Sequence, residues 1–457
     1  MLFETIIMLF FTTLCDCQRS YDNYTLFRAI PVNEDQLRFL ESLPDMYDAQ
    51  MWIFPSQVLR NVDFTISPED KVKFMLEANQ SQMYLTTITT DVQKLFNQQT
   101  VKSYVRRQMT TFDWNNYYRT DDIYEWLKDL ASTYNTVVKL FTIGTTLEKR
   151  PIYAVEISHT SNTIPDSRST VVVEGGIHAR EWISTAFVTY LLYKILHAPA
   201  EADENFQKIA FAYNWVFVPL LNPDGYEYSH TKDRLWRKNR NNNNGVDINR
   251  NFDIAFGTIG ISKHETSEIY CGAKAFSERE SVAMYNLLEK YNGTVEYYMA
   301  FHSFGQYLII PYAHVKDHLE NFDDVKAIGL EMIEAIKRRH GTNYVVGTAY
   351  DTVGYQTSGV SGCWAKKAYR IPYVMTFELR DTGVEGFALS PKYIEPTCKE
   401  TVDGIVVFLN GKKRSVKSLH ENNSSNEAHL KNVVLILNFV LFITLCFDYL
   451  MAFLFHD

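Results

Sequence analysis

The sequence predicts an α/β domain with a largely parallel or mixed sheet, preceded by a small α+β sandwich. Three observations carry this prediction. From Asp121 onward, strands that are apolar on both faces alternate with helices, the pattern of a sheet covered on both sides. Upstream, shorter apolar and alternating stretches run in the order strand, helix, strand, strand, helix, strand. Finally, 457 residues exceed one average domain, and a 46% hydrophobic content with 29 Tyr, 29 Phe and 7 Trp supplies enough apolar surface for two cores.

In chain order, the first unit has strands at Thr25 to Ile30, Met51 to Phe54, Asp63 to Ile66 and Met83 to Ile88. One helix starts at capping Asn33, with Glu34 and Asp35 in its first turn; the other starts at Ser67-Pro68-Glu69-Asp70, with Pro at the first helical position. A polar helix then leads to Arg106-Arg107. That dibasic pair lies between two apolar patterns, where a trypsin-like protease could cut, although a solvated charge pair on a helix reads the same way. The second unit has helices at Ile123 to Tyr134, Ser184 to His197, Val325 to His340 and Ser390 to Leu409. Its strands are Val137 to Ile143, Ile152 to Ile157, Thr170 to Gly175, Trp215 to Leu221, Val295 to His302 and Tyr373 to Leu379. In such sheets chemistry collects at the carboxyl ends of the strands.

Both termini are apolar. Ile6 to Leu14 is too brief to span a bilayer and is followed by Cys15 and Cys17 at secretory-cleavage spacing, so residues 1–17 are expected to be a signal peptide; Glu4 departs from that pattern, and a buried N-terminal strand is the alternative. Val433 to Phe455 is long enough for a membrane helix. A permanent span would leave Lys412, Lys413, Arg414, Lys417 and Lys431 outside, against the positive-inside tendency. Small polar residues Asn422 to Asn426, a spacer and a terminal apolar tail fit a glycosylphosphatidylinositol signal better. Sequons stand at Asn23, Asn79, Asn292, Asn422 and Asn423. Between the ends only Cys271, Cys363 and Cys398 remain, so no disulfide framework is expected. A net charge of -9 with scattered cations argues against nucleic acid as a partner.

The chemistry-bearing residues lie at the predicted strand ends. After the Thr170 strand comes Gly175-Gly176-Ile177-His178-Ala179-Arg180-Glu181-Trp182. His178 and Glu181 can face one point, and a ring nitrogen with a carboxylate oxygen suits zinc; by itself the pair is as readily structural. His302 ends the Val295 strand at the same sheet edge, and three protein ligands leave the fourth position that a catalytic site keeps for water. Glu378, in Thr376-Phe377-Glu378-Leu379-Arg380-Asp381, would be poorly solvated and available as a general base, or else be half of a buried pair with Arg380. Arg234-Leu235-Trp236-Arg237-Lys238 and Asp247-Ile248-Asn249-Arg250-Asn251-Phe252-Asp253 bring guanidinium and amide donors suited to a carboxylate or an oxyanion, or form a solvated basic loop.

In combination, these motifs, with Phe301 to Gln306 and Gly354-Tyr355-Gln356-Thr357-Ser358-Gly359, resemble the zinc metallocarboxypeptidases of the pancreatic, digestive type over roughly residues 20 to 412. The resemblance implies the zinc carboxypeptidase fold, a mixed eight-stranded-type sheet flanked by helices, behind an α+β open-sandwich pro-domain. It implies these bounds: 1–17 signal peptide, 18–107 activation pro-domain, 108–412 catalytic domain, and 413–457 spacer and membrane-anchor signal. The product would be a secreted or surface-anchored zymogen, cut near Arg107 by a trypsin-like protease. One Zn2+ would be bound by His178, Glu181 and His302, with Asp247 orienting His178. Glu378 would activate water and pass its proton to the leaving amine. Arg237 would hold the oxyanion, Asn249 and Arg250 the substrate's terminal carboxylate, and Arg180 the chain upstream of the bond. Tyr355 would be the lid.

Departures from the family pattern matter as well. Phe304 replaces a common tyrosine, and Thr258 stands where a cysteine partner of Cys271 would be. Members that prefer Lys or Arg carry an acidic residue where this chain has Gly362, and Ala313, Tyr350 and Thr376 would complete a small, weakly polar pocket. The expectation is therefore an A-type enzyme that releases aliphatic or aromatic residues. Asp351 beside the pocket is the argument for basic, B-type specificity. A tethered peptide-binding protein without turnover is a third reading, opposed by the full set of catalytic positions.

Overall fold

The computed structural model describes residues 18–99, 112–159 and 167–411; the expected signal peptide, the Arg106-Arg107 pair and the spacer and tail at 413–457 lie outside the described residues. The first unit is a four-stranded antiparallel sheet of β1 (Thr25–Ile30), β2 (Ala49–Ile53), β3 (Val62–Ile66) and β4 (Tyr84–Thr89), in the order β2-β3-β1-β4. Helix α1 (Glu34–Glu41) is capped as expected, the Asn33 side chain accepting from the Gln36 amide at 2.9 Å. Helix α2 (Lys71–Gln80) starts three residues later than the Pro68 signal suggests. The Asp70 carboxylate accepts from the Asp48 amide (2.8 Å) and the Ser67 hydroxyl (3.1 Å), closing residues 67–70 into a turn before the helix. Phe74 and Ala78 of α2 are buried against the sheet, and Phe74 meets Phe27 with ring centroids 5.4 Å apart.

The second unit contains β5 (Val138–Thr145), β6 (Pro151–Ile157), β7 (Thr170–Glu174), β8 (Asn214–Val218), β9 (Val295–Ser303), β10 (Tyr307–Ile309), β11 (Val345–Gly347) and β12 (Tyr373–Leu379). They form one mixed eight-stranded sheet in the order β11-β10-β12-β9-β7-β8-β6-β5. The central strands β12, β9, β7 and β8 are parallel, while β6 and β10 join antiparallel on either side. Helices cover both faces. One apolar layer packs under Thr120–Thr133, Trp182–Leu196, Phe322–His340 and the final helix over 394–411; the other packs under Arg279–Lys290 and Ser361–Tyr369. The Trp182–Leu196 helix has 12 buried residues out of 15, which explains why its sequence reads as an apolar run rather than an amphipathic stripe. Phe322–His340 ends on Gly341 at φ 75°, a left-handed position that favours glycine, with Lys337, Arg338, Arg339 and His340 in its last turn.

Strands β10 and β11 have three residues each, too few for a periodicity to show. Cys271, Cys363 and Cys398 are buried free thiols.

Candidate active site

The carboxyl ends of the central parallel strands bring the predicted chemistry together. His178 and Glu181 lie in the segment that leaves β7, and His302 and Glu378 are neighbours on β9 and β12. His178, Glu181 and His302 are all buried, and each offers a donor atom within 4.8 Å of the others. His178 Nδ1 lies 2.7 Å from Glu181 Oε1 and 3.2 Å from His302 Nδ1, and His302 Nδ1 lies 3.1 Å from Glu181 Oε2. His178 Nε2 is 3.1 Å from Asp247 Oδ1, which leaves Nδ1 of that ring facing the other two donors. Two imidazole nitrogens and one carboxylate oxygen on a convergent buried site fit zinc with one coordination position to spare.

The electrostatics agree with a cation site. Although burial opposes it, His178 and His302 hold the Glu181 carboxyl well below the usual range. Burial also opposes protonation of His302, yet its hydrogen bond and charge contact with Glu181 raise it to about 9. Burial, with Glu181 nearby, pushes the Glu378 carboxyl up to about 8, against the pull of His302 and Arg237.

The donor loop is equally fixed. Arg237 donates to Asp247 Oδ2 from Nε (3.1 Å) and Nη2 (2.9 Å), and its Nη1 lies 3.6 Å from Glu181. Despite burial, Arg237, Arg250 and His178 hold Asp247 well below the ordinary carboxylate range. The Asn249 amide donates to Asp247 Oδ1 (3.0 Å), while Asn249 Oδ1 accepts from the Ser361 amide (2.9 Å). Arg250 Nε donates to the Gly260 carbonyl at 3.0 Å. Arg180 is fully buried, paired with Glu268 (3.1 Å), and its guanidinium lies 4.3 Å from the Phe387 ring centre.

These residues surround a cavity of about 440 Å³ whose walls include Arg180, Arg237, Asn249, Arg250, Tyr355 and Glu378. The same cavity has an apolar stretch of wall: Ala313, Ala349, Val360 and Cys363 belong to one apolar cluster with Ile309 packed against it, and Thr376 pairs with Ile309 across the sheet. Ala313 and Thr376 are placed there as the sequence suggests. Tyr350 and Gly362 are not on the cavity wall. Gly362 sits directly behind it, where an added Cβ would come 3.4 Å from Thr376 Oγ1, and Tyr350 turns its ring to Lys316 at 4.2 Å. Asp351 is also off the wall; it accepts from the Thr348 amide at 3.0 Å and lies 3.8 Å from His318.

The first unit supplies the cavity roof, as its resemblance to an inhibitory pro-segment covering the cleft implies; the individual residues that do so are singled out by no motif. Trp52, Phe54, Leu59 and Arg60 lie over the site. Arg237 approaches the Phe54 ring at 5.8 Å, Gln57 Nε2 donates to the Gly354 carbonyl (2.6 Å), and Arg60 Nη1 donates to the Thr352 carbonyl (3.4 Å). Trp52 seats between Phe387 (5.5 Å) and Phe304 (6.5 Å). Gly386, at φ 53°, makes room for it, since a Cβ there would lie 2.7 Å from the indole.

Comparison with known proteins agrees with this geometry. Residues 123–404 match the zinc carboxypeptidase family and residues 27–99 match the carboxypeptidase activation peptide. The chain is 34% identical over 396 residues to zinc carboxypeptidase A 1 of Anopheles gambiae, covering 85% of this chain and 89% of that protein. It is 36% identical over 306 residues to carboxypeptidase O of Bos taurus, covering 66% of this chain and 80% of that one. The crystal structure of thrombin activatable fibrinolysis inhibitor superposes with a TM-score of 0.79 at 27% identity, over 85% of this chain and 98% of that chain. With a convergent His178, Glu181 and His302 site roofed by its own activation peptide, this chain belongs to the zinc carboxypeptidase family.

Proposed function

We propose that the protein is a secreted, surface-anchored zymogen of an A-type carboxypeptidase that releases aliphatic or aromatic C-terminal residues. The observation that carries the specificity is the apolar stretch of the cavity wall, where Ala313, Ala349, Val360 and Cys363 cluster with Ile309 and the position expected to bear an acid in basic-specific members is Gly362. A Lys or Arg side chain laid against this stretch would lose hydration without gaining a partner.

Zinc held by His178, Glu181 and His302 supplies Lewis acidity to the scissile carbonyl and to water. Around it, Glu378 accepts the proton of the attacking water and delivers it to the leaving amine. Arg237, buried and already oriented by Asp247, donates to the oxygen on which charge develops. Asn249 and Arg250 take the free carboxylate of the substrate, which restricts cutting to the last residue. Arg180 contacts the chain upstream, and Tyr355 closes over the bound side chain.

Secretion rests on the pattern of residues 1–17, and the lipid anchor on the polar spacer and apolar tail. The exposure of Asn23, Asn79 and Asn292 is consistent with glycan attachment. Release by a trypsin-like protease near Arg107 would free the roof. The test is hydrolysis of peptides ending in Phe, Leu, Arg and Glu, before and after trypsin. Low activity that rises on cutting, with Phe and Leu preferred, is expected. A preference for Arg would overturn the A-type assignment, and a fully active uncut chain would overturn latency.

A further inference from the structure

The mechanism leaves one buried ionisable group unused, directly beneath the metal site. Glu174 is the last residue of β7, 1% exposed, and stands four residues before His178. Tyr298, fully buried on β9, stands four residues before His302. The Tyr298 hydroxyl donates to Glu174 Oε2. Strands β7 and β9 are parallel neighbours in which Val172 faces Tyr298 and Glu174 faces Ala300, so this hydrogen bond runs diagonally across the two strands that deliver the two histidines. No cation pairs with Glu174 among the described residues. Burial pushes its carboxyl up, against the Tyr298 hydrogen bond and the nearby His302 and His178 rings.

We propose that Glu174 and Tyr298 are a positioning pair whose hydrogen bond fixes the spacing of His178 and His302, and hence the affinity of the site for zinc. A carboxylate sealed in the sheet without a counter-ion costs stability. A hydrophobic pair at the same two positions would pack this layer more cheaply, so the polar pair needs a role that packing alone does not explain. The ladder supplies it. Each backbone hydrogen bond of β7 and β9 sets the height of the strands, but the hydrogen bond between side chains one turn of pleat below the ligands sets how the strand ends lean toward each other. The pair also reaches the substrate clamp. The Ser361 hydroxyl lies against both Glu174 and Tyr298, stabilising the charged form of each, and the Ser361 amide holds Asn249 Oδ1 at 2.9 Å.

This inference rests on His178, Glu181 and His302 being the zinc ligands, and its test separates the two. Zinc affinity of the full-length chain is measured by competition with a chelator, for wild type, Glu174→Gln, Tyr298→Phe and the double variant. Both single changes keep the side-chain outline, so the fold is retained. Each single variant is expected to bind zinc about tenfold more weakly, in the range seen when a group behind a metal ligand is removed. The double variant should be no weaker than either, because both changes delete one hydrogen bond. Tyr297→Phe is the control: it removes a neighbouring hydroxyl that lies in the other apolar layer, and affinity within twofold of wild type is expected. The unfolding midpoint of the metal-free chain is read alongside. A purely structural pair would lower that midpoint and leave zinc affinity unchanged. Affinities of both single variants within twofold of wild type would overturn the proposal. A wild-type chain that takes up no zinc would overturn the ligand assignment itself, and the pair's role with it.

Discussion

Glu378 and His302 are register partners: on the adjacent parallel strands β12 and β9 they lie side by side at the same level. One backbone ladder therefore fixes the distance between the proposed base and a proposed metal ligand. Neither depends on a loop. Replacing Glu378 by Gln keeps the shape and removes the proton acceptor, so hydrolysis should fall by roughly 10²–10⁴-fold. Zinc content, measured on the same sample, should stay at that of wild type. Activity equal to wild type would remove Glu378 from the role of base.

Trp52 is 4% exposed, held between Phe304 and Phe387 in the mouth of the cleft. Truncating a buried Trp to Ala costs about 3–5 kcal/mol, here in the contact between the activation peptide and the enzyme. Trp52→Ala should raise the activity of the uncut chain toward that of the trypsin-treated one. An uncut variant as silent as the uncut wild type would show that Phe54 and Arg60 suffice to close the site.

Glu280 offers a stability readout away from the cleft. Burial, with Glu278 adding to it, pushes its carboxyl from 4.5 up to about 7, against the hydrogen bond from Asn239 at 3.1 Å. Between those two values the folded chain retains a proton that the unfolded chain has released, so the group destabilises the fold as pH rises through that window and is neutral below it. The upper bound is about 3 kcal/mol. Glu280→Gln should flatten this slope, which urea midpoints at pH 5 and pH 8 would reveal. An unchanged difference between the two midpoints would sink the assignment.

The thiols should be inert. Burial pushes Cys363, on the cavity wall, up to about 12, and raises Cys271 and Cys398 as well. At pH 8 the thiolate fraction of Cys363 is on the order of one in ten thousand. Iodoacetamide should leave the folded enzyme active and Cys363 unmodified by peptide mapping, while urea exposes it to rapid alkylation. Loss of activity that parallels modification of Cys363 in the folded state would contradict this.

Much of the site could be read from the sequence because its residues sit at the ends of long apolar strands. His178, Glu181, His302 and Glu378 each follow or close such a run, and strand ends at one edge of a parallel sheet must converge. What was missed depends on contacts between units. Nothing local in Trp52 or Phe54 says that the end of β2 covers a cleft built from residues between His178 and Phe387. The pairing of Arg180 with Glu268 spans 88 positions and has no periodic signature. Glu174 had a usable signal, an acidic residue inside an otherwise apolar strand end, in step with Tyr298 four residues before the second histidine. Tyr350 and Gly362 fell just off the pocket wall because a helix start and a short turn rotate them away, a shift of one residue that sequence spacing cannot resolve. The late start of α2 has the same origin: Asp70 spends its carboxylate on Asp48 and Ser67 instead of capping.

The seat of Trp52 has a consequence for how this protein can evolve. Phe304, Phe387 and the bare backbone of Gly386 serve the indole of the uncut chain and, once that chain is cut, become the rim past which every peptide must travel. A substitution at Phe304 that suited a new diet of peptides would also loosen or jam the chain's own latch. Drift in the rim is therefore tethered to drift at residue 52, and among descendants of this gene the two positions are expected to change together or not at all.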